Sequence, residues 1–549
     1  MNSTQKFCLF TAVTAIILVG CEKNELITDF GKEEIQQASQ IAFTAEEQMV
    51  LLQMRNKDNK IGIEEATQLA NEVIGFLDGE TATKSGKSRS IASIVALHGE
   101  KEKRVATKSG EDGLSVELPD TLAYLFNFAD STGYTIIAAD TRIESPILCY
   151  TGNGTLKDSI DNPGMAIFLE GAGYYIERSI IEAEQRRDSL IADILAKIEE
   201  TGVKDTVYVD ESEGATKVGI TQATLTEDME THITYSYGPW TVASRVGPLL
   251  PVEWSQGYPF NELVKYKGCT SGSAPAGCVA TATAQIMAYW SFPSNIDGYN
   301  MNWSIMNSYT ARPGAYDNVR GKLRSPLSSE DSSLNANQTL FKQNVSRLME
   351  RIGYHVSMNY GCKGSGATTS DAVEFLRSLG FTYGVSGYFN EHWELGLDYN
   401  SNDVLNSLNH AWPVIADGFS QQNNYSILWG LITWETYEKG HAWVIDGYLR
   451  RSRQVTVTVT TTTSARPSPL TKAVPNTRLA LITTSTTSTY TEYSPYFLHN
   501  NWGWQGSDNG FYVAGTFDSN HGEDFASGTK SGEDNNYQFH NEIYPNIYH

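Results

Sequence analysis

The chain has 549 residues, several times the length of an average domain, which indicates more than one folding unit. Hydrophobic residues make up 40% of it, a share that excludes a polytopic membrane protein and chain-wide disorder. The 41 Lys and Arg residues and 64 Asp and Glu residues give a formal charge of -23. Because an acidic surface repels phosphate backbones, nucleic acid is not expected as the main partner. Six cysteines are too few for a disulfide scaffold.

Residues 1–20 have the pattern of an export signal. Lys6 precedes an apolar run from Cys8 to Gly20 that is too short to span a bilayer, as in the core of a signal peptide. The run ends in Leu-Val-Gly before Cys21, which resembles the bacterial lipobox, where the cysteine is lipidated and becomes the new N-terminus. An ordinary secretory signal that is cut elsewhere is the alternative. Both interpretations predict that the protein leaves the cytoplasm.

The residues that follow divide into parts of different composition. Residues 21–60 are polar and are predicted to form a tether. Residues 61–200 combine helical and strand patterns and predict a small α+β domain. Residues 201–235 are rich in Thr, Glu and Asp and lack periodicity, so we interpret them as a linker. A second, aromatic-rich unit is expected over residues 236–549.

The α+β domain is predicted from two kinds of hydrophobic pattern. Apolar residues recur at three- and four-residue steps over 61–77 and again over 178–200, which predicts two amphipathic helices. Between these helices, the apolar segments Thr135–Ala139 and Ala166–Leu169 are bounded by Gly, Asn and Asp, and we predict strands there.

Residues 453–491 form the most unusual segment of the second unit. Val and Thr alternate from Val455 to Thr460, and Thr and Ser dominate afterwards. Since β-branched residues at period two favour strands, we predict a long hairpin or insertion, with a glycosylated stalk as the alternative.

A candidate nucleophile lies in the segment from Pro275 to Trp290. A Gly-Cys step opens a run whose apolar residues share one helical face, so Cys278 is expected in the first turn of a buried helix. Unpaired amides and the helix dipole at that position favour a thiolate, which prepares a cysteine for nucleophilic attack. Taken alone, a cysteine at a helix start is more often simple packing.

A thiol nucleophile needs a base, and His441 has the most suitable context. It follows Gly440 directly and is the first residue of an apolar strand. A rigid element would therefore carry the histidine, and the glycine, which has no side chain, would leave space for substrate beside it. The third piece is Asn501, in an Asn-Trp-Gly-Trp string, whose amide oxygen can accept the histidine proton. The order Cys, His, Asn along the chain is that of a papain-like site.

These residues resemble the streptopain-like cysteine peptidases of bacteria. The Gly-Cys-Val-Ala-Thr-Ala and Asn-Trp-Gly-Trp strings are specific to the resemblance, which keeps the family's order through most of residues 240–520. Residues 90–175 also resemble the family's propeptide, notably at Gly133–Asp140. The matching segments of the second unit are Trp254–Asn261, Gly277–Ala282, Asn359–Gly361 with the Gly-Ser loop after it, Gly440–Ala442 and Asn501–Trp504.

The resemblance implies an α+β protein in which a small α+β propeptide domain precedes a papain-like catalytic domain with a helical part and an antiparallel β part. It assigns the nucleophile to Cys278, the general base and acid to His441, and the orienting role to Asn501. Trp502 would shield the His-Asn contact. Gln256 would donate to the oxyanion together with the Cys278 N–H, the alternative being a surface glutamine in a turn.

The sequence departs from the family's pattern in the second unit. The Thr-rich insertion separates the histidine strand from the Asn-Trp motif, where the family usually has a short hairpin. That motif is followed by Gln505-Gly506, where Gly-Gly is commoner. Cys269 and Cys362 are additional thiols; a disulfide between them is one arrangement that the sequence allows.

We therefore expect an exported cysteine endopeptidase, made as a zymogen, that cleaves protein substrates through a thioester acyl-enzyme. The alternatives are another Cys-His acyl-transfer enzyme, such as an amidase, deamidase or transglutaminase, and an inactive surface binding protein. No metal or cofactor is expected, because the sequence shows no zinc-binding cluster. The expected partners are protein or peptide substrates and the chain's own propeptide as an intramolecular inhibitor. The N-terminal lipid would be its only membrane contact, at the outer membrane or cell surface, until propeptide cleavage releases the enzyme.

Overall fold

The structure is a computed structural model of the whole chain. It describes residues 59–81, 88–98, 105–107, 115–157, 162–200, 207–212, 215–220, 229–310, 316–317, 322–323, 325–326, 336–383, 397–420, 440–465, 480–518 and 539–549. The predicted signal peptide, Cys21 and nearly all of the predicted tether lie outside these residues. Among the described residues, no helix is long and apolar enough to cross a membrane.

The N-terminal unit begins with a helix that packs on an antiparallel sheet. Helix α1, Ile63–Thr81, buries the apolar stripe seen in the sequence, which confirms the first predicted helix. The predicted strand at Thr135–Ala139 is also confirmed, because Tyr134–Ala138 is a fully buried strand. The strands of this unit are β1 Ile91–His98, β2 Val105–Thr107, β3 Ser115–Glu117, β4 Thr121–Phe128, β5 Tyr134–Ala138 and β6 Ile147–Thr151, with a short 3-10 helix at Ala129–Ser131.

The strand predicted at Ala166–Leu169 is wrong, because one long helix, α2, runs over Pro163–Glu200. Asn162 caps its first turn: the Asn162 side chain accepts a hydrogen bond from the Gly164 N–H at 3.1 Å. Pro163 is the first helical residue, where its missing N–H costs nothing. The apolar run was too short to distinguish strand from helix, whereas Asn-Pro before it is a helix-start signal.

Residues 201–235, the stretch without periodicity that is interpreted as a linker, contain regular strands in the structure. Three antiparallel strands lie mostly within this stretch and a fourth follows. β-Branched residues occupy alternate positions only in short runs, at Val207 and Val209 and from Thr216 through Val218 to Ile220, which is too short a pattern to predict strands from the sequence. The strands are β7 Val207–Ser212, β8 Ala215–Ile220, β9 Met229–Tyr237 and β10 Thr241–Val246.

The second unit combines a helical part with short strand pairs. Its central helix, α3, spans Cys278–Trp290 and is buried along most of its length. The other helices are α4 Trp303–Met306, α5 Ala336–His355, α6 Thr369–Ser378 and α7 Ser401–Asn409. The short strands are β11 Asn295–Ile296, β12 Tyr299–Asn300, β13 Tyr309–Thr310, β14 Tyr316–Asp317, β15 Lys322–Leu323, β16 Ser325–Pro326 and β17 Leu397–Asp398.

One antiparallel sheet passes from the N-terminal unit into the second unit, where β6 pairs with β22. Its strands lie in the order β1, β4, β5, β6, β22, β21, β19, β18, β23, β17. The remaining strands are β18 Val414–Ser420, β19 His441–Ala465, β20 Ala480–Tyr493, β21 Phe497–Asn501, β22 Gly510–Val513 and β23 Phe539–Tyr544, and a 3-10 helix follows β22 at Ala514–Phe517.

Strand β19 has one face toward each of two hydrophobic cores. Trp443 and Ile445 belong to the core that contains α1, α2 and the N-terminal sheet. Ala442 and Val444 belong to the core around α3. This alternation follows from the period of two along a strand, and it makes β19 the partition between the two units.

The Thr-rich segment forms the long hairpin predicted for it. Strands β19 and β20 pair in continuous register from Ser452 with Tyr493 to Ala465 with Ala480. Strand β9 pairs along the other edge of β19, from Val455 with Tyr237 to Thr463 with Met229. Strand β9, which lies mostly within the predicted linker, is therefore paired with the hairpin as a third strand.

Candidate active site

Cys278 is the first residue of α3, as the sequence predicted, and its side chain is half-buried. Gly277 before it has a φ of 95°, which L-residues with a side chain rarely adopt. A Cβ at position 277 would stand 2.8 Å from the Met358 sulfur and 3.1 Å from the Ser365 carbonyl oxygen. Glycine is therefore required at this approach, and it exposes the backbone beside the thiol.

The Cys278 thiol is neutral in this state. Burial raises its pKa above the ordinary value and outweighs the backbone N–H groups of Ala442, Val279 and Cys278 itself, which lower it. The negative charge of Asp417 raises it further. The helix start supplies the amides that the sequence predicted, but they do not produce a thiolate while the site is enclosed.

His441 is the first residue of β19 and is fully buried. Its Nε2 lies 2.9 Å from the main-chain oxygen of Trp502, and since a carbonyl only accepts, Nε2 carries the proton. Burial lowers the His441 pKa to about 4, although the bond to Trp502 raises it. The imidazole is therefore neutral at pH 7, and aromatic rings of Trp443, Trp502 and Trp504 surround it.

Asn501 is near His441 in the sheet but is hydrogen-bonded elsewhere. Its amide nitrogen donates to the Val252 carbonyl at 2.9 Å, and its oxygen accepts from the Gly503 N–H at 3.2 Å. Among the described contacts of His441, the acceptor is the carbonyl of Trp502. The orienting role of Asn501 thus stays a prediction, and in this state a backbone group that side-chain patterns do not reveal takes that role.

The other two predicted site residues are Gln256 and Trp502. The Gln256 carbonyl accepts from the Ala276 N–H at 2.8 Å, which joins its loop to the chain two residues before Cys278. Its role as an oxyanion donor stays a prediction. The Trp502 ring is fully buried and lies 6.4 Å from the His441 ring, so it covers the histidine from solvent.

The N-terminal unit contacts His441 through the first turn of α2. A Cβ added at Gly164 would stand 2.9 Å from His441 Cδ2 and would overlap the Trp502 ring. Only glycine allows the helix to approach this closely. No sequence pattern predicts this contact, because it joins residues far apart along the chain.

The same unit also holds the loop that follows Trp502. Tyr134 donates to Asp508 Oδ1 at 3.1 Å, and Asn162 donates to Oδ2 at 3.2 Å. Asn153 donates to the Gly506 carbonyl at 2.8 Å. Burial raises the Asp508 pKa, although the bonds from Asn162 and Tyr134 lower it. The loop that supplies the acceptor for His441 is therefore anchored by the N-terminal unit.

The other cysteines in the described part of the chain, and two of its histidines, have different surroundings. Cys269 and Cys362 form a disulfide, the arrangement that the sequence left open. Cys149 is buried, and burial raises its pKa. His355 is 2.9 Å from Asp297, and His410 stacks on Trp412, both on the surface.

The arrangement brings a thiol and an imidazole onto adjoining elements without joining them in a reactive pair. The Ala442 N–H, one residue after the histidine, contacts the Cys278 sulfur. The imidazole itself is bonded to Trp502, and both groups are neutral. Such a site can perform Cys-His acyl chemistry once the imidazole turns toward the thiol, and it is latent until then.

Comparison with known proteins identifies both units. Residues 254–512 match the peptidase C10 family, and residues 58–176 match the Spi protease inhibitor family. Residues 254–512 are therefore a streptopain-like cysteine peptidase domain. Streptopain from Streptococcus pyogenes is 24% identical over 400 residues, which cover 66% of this chain and 85% of that protein. The thiol protease/hemagglutinin PrtT of Porphyromonas gingivalis is 28% identical over 206 residues, 36% of this chain and 20% of that protein.

Among solved structures, a fragment of Prevotella intermedia prointerpain A covers 81% of this chain and 99% of its own, with 18% identity and a TM-score of 0.39. Active interpain A covers 56% of this chain and 97% of its own, with 22% identity and a TM-score of 0.30. The family, the α+β fold class and the cysteine peptidase activity predicted from the sequence are confirmed. The inhibitor-like unit before the peptidase also confirms a zymogen with an intramolecular propeptide.

Proposed function

We propose that this cysteine peptidase zymogen is exported as a lipoprotein and cleaves proteins internally through a thioester acyl-enzyme. The observation that carries the proposal is the pairing of a thiol at a helix start with a histidine that the propeptide unit encloses. A thiol at a helix start is suited to nucleophilic catalysis. The enclosure of His441 by the propeptide unit explains how the precursor is kept inactive.

The proposed reaction uses the tautomer found for His441. With the proton on Nε2, as in the bond to the Trp502 carbonyl, Nδ1 can accept the proton of Cys278 once the imidazole has turned toward the thiol. The thiolate then attacks the scissile carbonyl, and the Cys278 N–H and the Gln256 side chain stabilise the oxyanion. Protonated His441 delivers its proton to the leaving amine, a thioester remains, and water activated by His441 hydrolyses it.

Activation requires that the propeptide leave the face it covers. When the propeptide leaves, Gly164 no longer packs against His441 and the space beside the imidazole opens. Asp508 then loses its hydrogen bonds from Tyr134 and Asn162. Water then reaches the imidazole, whose pKa returns toward its ordinary value, so the imidazolium that pairs with a thiolate becomes accessible. Tethering keeps the propeptide at high effective concentration before cleavage, which favours latency.

Export and lipidation rest on the N-terminal sequence. Lys6, the apolar run that follows and Cys21 support a lipoprotein signal, and the disulfide between Cys269 and Cys362 is compatible with an oxidising compartment. We place the precursor at the outer membrane or cell surface and expect propeptide cleavage to release the peptidase.

The test of catalysis compares full-length protein with protein trimmed by limited proteolysis within residues 201–245, using fluorescein-labelled casein. Trimmed protein should hydrolyse casein, full-length protein should be nearly inactive, and Cys278→Ala should be inactive in both forms. An acyl-enzyme trapped by acid quenching should add the mass of a substrate fragment to the peptide containing Cys278. Equal activity of full-length and trimmed protein would contradict the proposed restraint.

Export is tested separately. Mass spectrometry of the N-terminal peptide from bacterial membranes should show a diacylated or triacylated Cys21, and Cys21→Ser should move the protein out of the membrane fraction. Protease added to intact cells should remove the protein if it faces outward. An unmodified N-terminus at another residue would indicate the ordinary secretory signal instead.

A further inference from the structure

Two loops meet beside the first turn of α3 and are joined covalently. The disulfide between Cys269 and Cys362 links the loop of residues 265–273, which precedes the nucleophile, to the loop of residues 359–366, which follows α5. The two Cα atoms are 5.1 Å apart, and Cys362 is exposed to solvent. The reaction described above does not use this bridge.

The first loop is closed by its own backbone hydrogen bonds. The Tyr266 N–H donates to the Gly272 carbonyl at 3.2 Å, and the Gly272 N–H donates to the Cys269 carbonyl at 2.9 Å. The chain then passes through Ala276, which is bonded to Gln256, and reaches the nucleophile. This loop is therefore held by its own hydrogen bonds, and it is continuous with the segment that leads into α3.

The second loop is rich in glycine, and one of its internal hydrogen bonds runs from the Gly361 N–H to Ser365 Oγ at 3.4 Å. It contains Gly361, Gly364 and Gly366, and glycine loses more conformational freedom on ordering than any other residue. Two backbone hydrogen bonds between Asn359 and Gly366, at 2.9 and 3.1 Å, close its base. The bridge at Cys362 lies within the loop and ties it to the first loop.

The second loop forms a wall beside the nucleophile. The Ser365 carbonyl oxygen stands 3.1 Å from the position that a Cβ on Gly277 would occupy, and Gly277 directly precedes Cys278. Beyond Gly366 the space is open, since a Cβ there would meet no atom within 4 Å. A peptide that reaches the thiol over Gly277 must therefore pass along this wall.

We propose that the disulfide between Cys269 and Cys362 positions the loop of residues 359–366 as a preformed wall of the substrate cleft. The inference rests on the proposed peptidase function. With the bridge, the loop is ordered before substrate arrives. Without it, substrate binding must also order this glycine-rich loop, and the lost conformational entropy weakens binding. The sulfur of Cys278 is held by α3 and the Ala442 N–H, neither of which carries the bridge, so bond cleavage itself depends less on it.

The test uses trimmed peptidase carrying Cys269→Ser and Cys362→Ser together, with an internally quenched peptide built on a casein cleavage site. KM should rise about five- to tenfold while kcat stays within about twofold, the pattern of lost binding without lost chemistry. The rate at which iodoacetamide alkylates Cys278 should not change. Ser271→Ala is the matched control: it removes a hydrogen bond to the Ser273 carbonyl in the same loop and keeps the bridge, so KM should be unaltered.

A second measurement covers the case in which the double variant fails to fold. Dithiothreitol reduces the bridge in folded wild-type protein: its two thiols become a cyclic disulfide and Cys269 and Cys362 become thiols, a gain of two hydrogens visible in the intact mass. KM should rise as this mass appears and fall when the bridge re-forms. Unchanged KM, or a parallel loss of kcat and of iodoacetamide reactivity, would overturn the positioning role. Wild-type protein without any hydrolysis would instead show that the proposed function fails.

Discussion

Cys278 and His441 lie on adjoining elements, yet different parts of the chain surround them. Burial has the largest effect on the Cys278 pKa, and the individual groups that act on it besides burial are peptidase residues: the Ala442 N–H, its own helix start and the charge of Asp417. His441 is enclosed partly by propeptide residues, since Gly164 packs against it and Tyr134 and Asn162 hold the loop beyond Trp502. The proposed nucleophile therefore lies among peptidase residues before maturation, whereas the proposed base contacts the propeptide.

The alternation along β19 explains this difference. The Ala442 side chain faces the core around α3 and its N–H contacts the Cys278 sulfur, while the Trp443 side chain faces the core shared with the propeptide. Successive side chains of a strand point to opposite faces of the sheet. A propeptide that packs on one face of β19 can therefore restrain the histidine separately from the thiol. The predictions below test this division of the site.

The largest expected effect is the loss of the nucleophile. Cys278→Ala in trimmed peptidase should lower kcat by about four orders of magnitude or more, because no thioester can form without the thiol. Casein hydrolysis measures it, and the unchanged circular dichroism spectrum is the control for folding. Appreciable turnover by pure Cys278→Ala protein would remove this residue from the mechanism.

Replacing the base should cost nearly as much. His441→Ala should reduce kcat/KM by about three to four orders of magnitude and abolish the bell-shaped pH profile that a thiolate-imidazolium pair produces. His355→Ala and His410→Ala are the matched controls, because both side chains are on the surface, and their rates should stay near wild type. Near-normal rates in His441→Ala with loss in either control would mean that the base was assigned wrongly.

The sequence was sufficient for the elements that carry the two reactive side chains. A Gly-Cys step before a helical pattern predicted the start of α3 at Cys278, and a Gly-His step before an apolar strand predicted the start of β19 at His441. The Trp502 carbonyl could not be predicted in the same way, because every residue has a carbonyl and only the fold decides which one meets the imidazole. The contact of Gly164 depends on α2, whose first turn resembled a strand.

Acid should weaken the latent state. Burial lowers the His441 pKa from 6.5 to about 4, so the buried form binds fewer protons than the open form between these values. Protonation of His441 therefore shifts the equilibrium between the buried and open forms. Its free-energy effect is absent above about pH 6.5, grows as pH falls and reaches about 3 kcal/mol in favour of the open form near pH 4. Iodoacetamide labelling of Cys278 in full-length Cys21→Ser protein should therefore accelerate from pH 7 to pH 5, after correction for the lower thiolate fraction.

Asp508 acts in the opposite direction, because burial raises its pKa and protonation then favours the buried state. Asp508→Asn removes this opposing contribution and should make the acid response of the full-length protein steeper. A response that is flat in both proteins would contradict the burial of His441 as the origin of the pH dependence.

The propeptide contacts should matter to a smaller extent. Tyr134→Phe removes one of the two donors to Asp508, and a hydrogen bond to a charged group contributes about 1.5–3 kcal/mol. The isolated unit of residues 59–200 carrying this change should inhibit trimmed peptidase about tenfold less strongly than the unaltered unit. Thr155→Ala is the control, since its hydroxyl bonds Ser131 within the propeptide and contacts no peptidase residue in the described hydrogen bonds. Equal inhibition by the unaltered unit and both variants would show that the hydrogen bond from Tyr134 to Asp508 does not contribute to inhibition.

The smallest expected effect on catalysis concerns Asn501, and it decides which group orients the imidazole. In the latent state the Asn501 side chain joins Val252 to Gly503, and His441 donates to the Trp502 carbonyl, which no substitution at position 501 removes. Asn501→Ala should therefore lower the free energy of unfolding by about 1–3 kcal/mol, because a buried carbonyl and N–H lose their partners. Activity of the folded variant, measured as kcat of trimmed peptidase, should fall less than about tenfold. A loss of two orders of magnitude or more, with the fold intact, would mean that Asn501 takes the histidine from the Trp502 carbonyl once the propeptide has left.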